Sequence, residues 1–131
     1  MKYSINKEEK YSVFTLNEEK LDSSIAPALK SEFITLNAEG VRNLVLDMSP
    51  VKYCDSSGLS SLLVANRTYT QEGGMFVLTG LNDHVQKLVT ISQLESVLTI
   101  LPTVEEGIDT VFMNEIENDL KSENGESNQD V

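Results

Sequence analysis

The chain has 131 residues, of which 40% are hydrophobic, and this is enough apolar material for the core of one domain. Its formal charge of −11 at pH 7 disfavours direct binding to DNA or RNA. The longest purely apolar runs, Leu62 to Ala65 and Met75 to Leu78, are too short to cross a bilayer, and the first residues lack the apolar core of a signal peptide. We therefore expect a cytoplasmic protein that binds neither membranes nor nucleic acid.

The first part of the chain predicts two strands and a helix. The β-prone runs Tyr3–Lys7 and Tyr11–Asn17 are typical of an antiparallel pair at one side of a sheet. Ser23 or Ser24 can cap a helix that follows them, and Gly40 can terminate it. Strands and helices are expected to alternate from this point.

The middle of the chain predicts a strand, a loop and a second helix. Leu44–Leu46 is apolar on both faces, as expected of a parallel strand buried between helices. The loop ends in Asp55–Gly58, and a helical pattern begins at Leu59. After Gly73-Gly74, the run Met75–Leu78 predicts another buried strand. The Asp55–Gly58 loop is therefore expected at the carboxyl edge of the sheet, where α/β proteins usually meet ligands and partners.

The last part predicts a third helix, a final strand and a fourth helix. Asn82 can cap the third helix, and 96–101 reads as the last strand. Thr103 and Glu106 have the spacing of a capping box for the fourth helix. Together the elements predict a single α/β domain with a mixed sheet of about five strands and about four helices.

Apolar positions nearly vanish from Glu117 onward. We therefore expect a domain over residues 1–117 and a disordered acidic tail over 118–131. The acidic surface of both parts favours a monomer.

The Asp55–Gly58 loop has the chemistry of a helix start. Asp and Ser side chains accept hydrogen bonds from the free N–H groups of a first helical turn, and Gly58 allows another backbone to approach closely. A helix N-terminus carries partial positive charge, so a serine there can accept a phosphate without melting its helix. From spacing alone, however, Ser56 and Ser57 are better explained as capping residues of an ordinary domain.

One cysteine and one histidine are too few for a metal cluster. Cys54 precedes the helix start and could be a reactive thiol of lowered pKa, but a small buried apolar residue behind the loop is the favoured interpretation. His84 reads as an ordinary polar residue of a first helical turn. The chain also lacks a phosphate-binding glycine motif, so we expect neither catalysis nor a cofactor.

The loop sequence resembles the hallmark of the STAS domain and, within that family, of the anti-sigma factor antagonists. The hallmark is a buried strand, then an aromatic or apolar residue, then D-S-[ST]-G-[LI] opening a helix. Here Leu44–Asp47 supplies the strand and Tyr53–Leu59 supplies the rest. Leu21-Asp22 resembles the family's L-D before its first helix, and Val85–Leu94 resembles its third helix and exit. Family members often have glycine where this chain has Glu19 and Gln93, two departures that lie outside the loop.

The resemblance implies partner switching. By that resemblance Ser57 is the phosphorylated residue, and Asp22, Asp55, Ser56 and Gly58 share its partner-binding surface. An unphosphorylated antagonist binds an anti-sigma factor that is itself a serine kinase, and so frees a sigma factor for transcription. The kinase ends the complex by phosphorylating the antagonist, and a metal-dependent serine phosphatase restores it.

Two other functions are compatible with the sequence. The domain could be a scaffold or sensor that is not phosphorylated and binds a small ligand or a regulatory assembly. The acidic tail and the departure from glycine at Gln93 slightly favour this function. A small hydrolase using Ser57 would require a base, and His84 would serve only if folding brought it to that serine.

Overall fold

The computed structural model describes residues 1–123. The described part of the chain holds seven strands and four helices. They are β1 (Tyr3–Lys7), β2 (Ser12–Leu16), β3 (Lys20–Leu21), α1 (Ala26–Ala38), β4 (Asn43–Asp47), β5 (Tyr53–Cys54), α2 (Ser56–Gln71), β6 (Met75–Thr79), α3 (Asp83–Ile91), β7 (Thr99–Leu101) and α4 (Val104–Glu123).

The main sheet has five strands in the order β1-β2-β4-β6-β7. β1 runs antiparallel to β2, whereas every other neighbouring pair is parallel. The predicted α/β class, with a mixed five-stranded sheet and four helices, is therefore confirmed. β4 lies at the centre with its apolar side chains fully buried, which explains why both of its faces are apolar in sequence.

The helices cover the two faces of the sheet unequally. One face packs against α1, α2 and α3, and its core contains the ring contacts Phe14–Phe33 and Phe33–Phe76. Tyr69 of α2 is buried there too, and its hydroxyl donates to the carbonyl of Phe33 at 2.9 Å, which ties α2 to α1. The other face packs against α4. No helix within residues 1–123 combines the length and the apolarity needed to cross a bilayer.

One predicted helix cap was wrong. Neither Ser23 nor Ser24 caps α1; Ile25 is the cap residue and its side chain makes no capping bond. The second helix begins at Ser56, directly after Asp55, so the predicted helix start in the Asp55–Gly58 loop is confirmed. The fourth helix continues to Glu123, and residues 124–131 of the predicted tail lie outside the described residues.

Candidate functional site

The N-terminus of α2 is capped by Asp55. Its carboxylate accepts a hydrogen bond from the N–H of Gly58 at 3.0 Å, and its backbone is extended, as at an N-cap. Its carbonyl oxygen accepts from the N–H of Leu59 and closes the first turn. The first turn therefore needs no cap from Ser56 or Ser57. Ser56 is exposed and Ser57 is half-buried.

Gly58 lies against the segment that contains Leu21. A β-carbon at position 58 would be 2.5 Å from the carbonyl oxygen of Leu21 and 2.8 Å from the sulfur of Cys54. The same carbonyl accepts a hydrogen bond from the N–H of Asp55 at 3.2 Å. The predicted role of Gly58 in close backbone approach is confirmed. Only glycine fits here without displacing the backbone.

A small second sheet holds the two segments together. β3 and β5 pair in parallel, with Lys20 opposite Tyr53 and Leu21 opposite Cys54. This sheet could not be predicted from the sequence, because strands of two residues show no periodicity. Its effect is to bring the Leu21-Asp22 segment beside the Asp55–Gly58 loop, so that two distant segments form one surface.

Ser57 lines an open groove of about 380 Å³ between the N-terminal ends of α1 and α2. The lining combines serines with one end of α1: Ser23, Ala26, Pro27, Lys30, Ser56, Ser57, Ser60 and Ser61. Lys30 is exposed and brings a positive charge to a lining that otherwise consists of serines, Ala26 and Pro27. The groove could be found only from the packing of the helices, since its two walls are about thirty residues apart in sequence.

Asp22 follows the Leu21 carbonyl that contacts the loop. Its carboxylate accepts hydrogen bonds from the N–H and the hydroxyl of Ser24, at 3.0 and 2.5 Å. These hydrogen bonds lower the pKa of Asp22 and favour its charged form. Its carbonyl accepts from the N–H groups of Ile25 and Ala26, which starts α1. Asp22 and Asp55 thus each organise the start of one helix wall of the groove.

An exposed aromatic stack adjoins the loop. The rings of Tyr53 and His84 lie 5.4 Å apart at an angle of 26°. Asn82 caps α3 as predicted, accepting from the N–H of Val85 at 2.8 Å, and its amide donates to the carbonyl of Lys52 at 3.2 Å. His84 lies in the first helical turn as predicted, but its stacking on Tyr53 was missed because it depends on how α3 meets β5.

Cys54 is a buried residue behind the loop, 2% exposed. Burial raises the pKa of its thiol to about 12, and the neighbouring Asp55 charge adds to the effect. The interpretation as a reactive thiol of lowered pKa was therefore wrong. Within residues 1–123, no group of three or more His, Cys, Asp or Glu side chains is arranged to hold a metal ion.

Comparison with known proteins identifies the family of the chain. The family profile described as the STAS domain matches residues 3–107. The anti-sigma factor antagonist BtrV of Bordetella bronchiseptica is 30% identical over 61% of this chain and 69% of its own. The TM1081 homologue of Thermotoga neapolitana, also named as an anti-sigma factor antagonist, is 26% identical over 56% of this chain. That match spans 65% of the relative, just under two thirds of its length.

Solved structures share the fold. The TM1081 antagonist of Thermotoga maritima superposes with a TM-score of 0.73 at 23% identity, covering 83% of this chain and 93% of its own. Bacillus SpoIIAA in its phosphorylated form gives a TM-score of 0.65 at 21% identity, covering 84% of this chain and 99% of its own. The chain belongs to the STAS domain family. Within that family, the relatives that it matches place it among the anti-sigma factor antagonists.

Proposed function

We propose that this chain binds an anti-sigma factor with serine kinase activity through the surface around the Asp55–Gly58 loop, and that phosphorylation of Ser57 ends the complex. The chain acts as a regulatory binding protein in the cytoplasm, without catalytic activity of its own. A metal-dependent serine phosphatase restores the unphosphorylated form. The protein is a monomer between encounters.

The observation that carries the proposal is the position of Ser57. It lies in the first turn of α2, half-buried, where Asp55 already provides the cap and Gly58 fixes the turn against Leu21. Its hydroxyl is therefore available for chemistry in a loop of fixed shape. SpoIIAA, which shares the fold, is known in a phosphorylated form, and this supports a phosphorylated serine in such a domain.

The charges of the site suit a switch that acts at the interface. A phosphate adds about −1.5 to −2 charges at pH 7. The N-terminus of α2 and the nearby Lys30 side chain tolerate that charge within the domain. A partner seated over the groove instead meets new charge beside Asp55, in an interface from which water is removed. Affinity for the partner falls while the fold is kept.

Affinity purification from the native cytosol tests the proposal. Wild type, Ser57→Ala and Ser57→Asp serve as baits, and the captured proteins are identified by mass spectrometry. Wild type and Ser57→Ala are expected to recover an anti-sigma factor with a kinase domain, and Ser57→Asp is expected to lose it. Ser31→Asp is the matched control, since it adds the same charge at an exposed position of α1 outside the groove.

Two outcomes would count against the proposal. Equal capture of the anti-sigma factor by all the baits would show that its binding does not depend on the charge at position 57. Capture of a regulatory assembly without a kinase, equally by wild type and Ser57→Asp, would favour a scaffold that does not depend on phosphorylation. Urea unfolding of each bait verifies that the substituted chains are folded.

A further inference from the structure

The two halves of α4 lie in different surroundings. In the first half, Gly107 and Val111 are buried against the sheet, where Val111 packs with Val45 and Val77. A β-carbon at Gly107 would be 3.1 Å from a methyl group of Val45, so the helix approaches the sheet closely there. The second half carries large apolar side chains that the sheet does not cover.

Met113, Ile116 and Leu120 form the α4 stripe. Their exposed fractions are 61%, 53% and 52%. At about 100° per residue, spacings of three and four place them on one helix face, and Met113 lies roughly opposite the buried Val111. Three large apolar side chains that share one exposed helix face are typical of a surface that another molecule covers.

The flanks of the α4 stripe are acidic. Glu117 and Asp119 are exposed and lie on the two sides of the stripe on the helical wheel, and Asp109 is exposed one turn before Met113 on the same helix face. They would repel a second copy of the same helix, and they would also repel an anionic membrane surface. A surface that matches the stripe must therefore be apolar at its centre and basic at its edges.

We propose that the α4 stripe binds an amphipathic helix of a partner protein, whose apolar ridge packs on Met113, Ile116 and Leu120 and whose lysine or arginine side chains pair with the acidic flanks. α4 covers the face of the sheet opposite to α1 and α2, which form the Ser57 groove. This second partner therefore occupies a surface separate from the phosphorylated loop. Both can bind at the same time.

A synthetic peptide serves as the probe. It has about 18 residues, with leucine at helical spacing on one face and lysine on the other. Binding is measured by fluorescence anisotropy at low and moderate salt. The Ile116→Ser/Leu120→Ser variant is expected to bind about tenfold more weakly or worse, because the apolar contact is lost while the charge is unchanged.

Ile91→Ser is the matched control. Ile91 is 71% exposed but belongs to α3, so its replacement should leave the affinity within about twofold of wild type. Glu117→Gln/Asp119→Asn should weaken binding and reduce its dependence on salt. Ser57→Asp should bind the peptide as wild type does, which separates this surface from the switch.

Three results would overturn the proposal. The first is absence of binding to wild type, and the second is equal binding by wild type and the Ile116→Ser/Leu120→Ser variant. The third comes from sedimentation velocity of the full chain. A wild-type dimer that this double variant dissociates would show that the occupant is a second copy of the chain and not a basic helix.

Discussion

Gly58 of α2 lies so close to Leu21 of β3 that a β-carbon at position 58 would be 2.5 Å from the Leu21 carbonyl oxygen. The contact fixes the turn that presents Ser57 and joins it to the segment that starts α1. Gly58→Ala must therefore displace backbone on one side or the other. We expect it to lower the free energy of unfolding by about 2 to 3 kcal/mol.

Urea unfolding measures this change. Ser60→Ala is the matched control, because Ser60 is exposed on the same helix and alanine there should alter stability by less than about 0.5 kcal/mol. A Gly58→Ala chain as stable as wild type would mean that the loop rearranges easily, and the fixed shape argued for Ser57 would be wrong.

Asp55 is predicted to stabilise α2 mainly as its N-cap. Asp55→Ala removes the acceptor of the Gly58 N–H and should cost about 1 kcal/mol in thermal or urea unfolding. Asp55→Asn keeps an acceptor at the same place and should recover most of that loss. If Asn were as destabilising as Ala, the negative charge rather than the hydrogen bond would account for the effect.

Gln93 is predicted to be a strained position. It has a φ of 60° at the end of α3, where its N–H donates to the carbonyl of Thr90 and the Leu94 N–H donates to that of Val89. This is the left-handed turn that ends many helices and favours glycine. Gln93→Gly should raise the free energy of unfolding by about 0.5 to 1 kcal/mol.

Ser92→Gly controls for the effect of glycine itself. Ser92 precedes Gln93 and has an ordinary right-handed φ of −80°, so glycine there should give no gain in stability. A stabilising Ser92→Gly together with a destabilising Gln93→Gly would contradict the assignment of strain. The expected outcome is that only Gln93→Gly stabilises the chain, which would assign a local energetic cost to the departure from glycine at this position.

Glu115 is predicted to make part of the stability depend on pH. Its carboxylate accepts from the Asn43 amide and from the Arg42 guanidinium, both at 3.0 Å, and these bonds lower its pKa below the ordinary value of 4.5. The charged form therefore stabilises the folded chain above the unfolded-state pKa. That stabilisation is lost as the pH falls through the lower folded-state pKa.

Urea unfolding of Glu115→Gln at several pH values tests this. The variant should be less stable than wild type at pH 7, and the difference should shrink below pH 4.5. Glu117→Gln, on the exposed side of the same helix, should differ little from wild type at either pH. A difference for Glu115→Gln that stays constant with pH would rule out the linkage.

Cys54 is predicted to be inert in the folded protein. Its thiol is buried and its pKa is raised to about 12, so very little thiolate exists at pH 8. Ellman's reagent should label it slowly in buffer and completely in urea. Complete labelling of the folded chain within minutes would show that the loop opens readily.

Much of the candidate site around the Asp55–Gly58 loop could be predicted from the chemistry of neighbouring residues. An aspartate before a helical pattern predicts an N-cap, and a glycine three residues later predicts close approach of another backbone segment. Asp55 does cap α2, and Gly58 does lie against Leu21. The apolar run of β4 likewise predicted a buried central strand. These features depend on neighbouring residues alone, so one sequence is enough to reveal them.

Features that depend on distant contacts could not be predicted in this way. The β3–β5 pairing, the Tyr53–His84 stack and the Ser57 groove each join segments about thirty residues apart.

The prediction of a serine cap for α1 was wrong for a local reason. Asp22 accepts from Ser24 and its own carbonyl starts the turn, so the serine oxygens are not needed.

Whether Ser57 carries a reversible phosphate is decided by the intact mass of the chain recovered from its native cells, followed by peptide mapping. We predict a fraction heavier by one phosphate, located at Ser57, absent from Ser57→Ala and absent from the complex with the anti-sigma factor. A phosphate on another residue, or a phosphorylated chain that still co-purifies with that partner, would contradict the proposed switch.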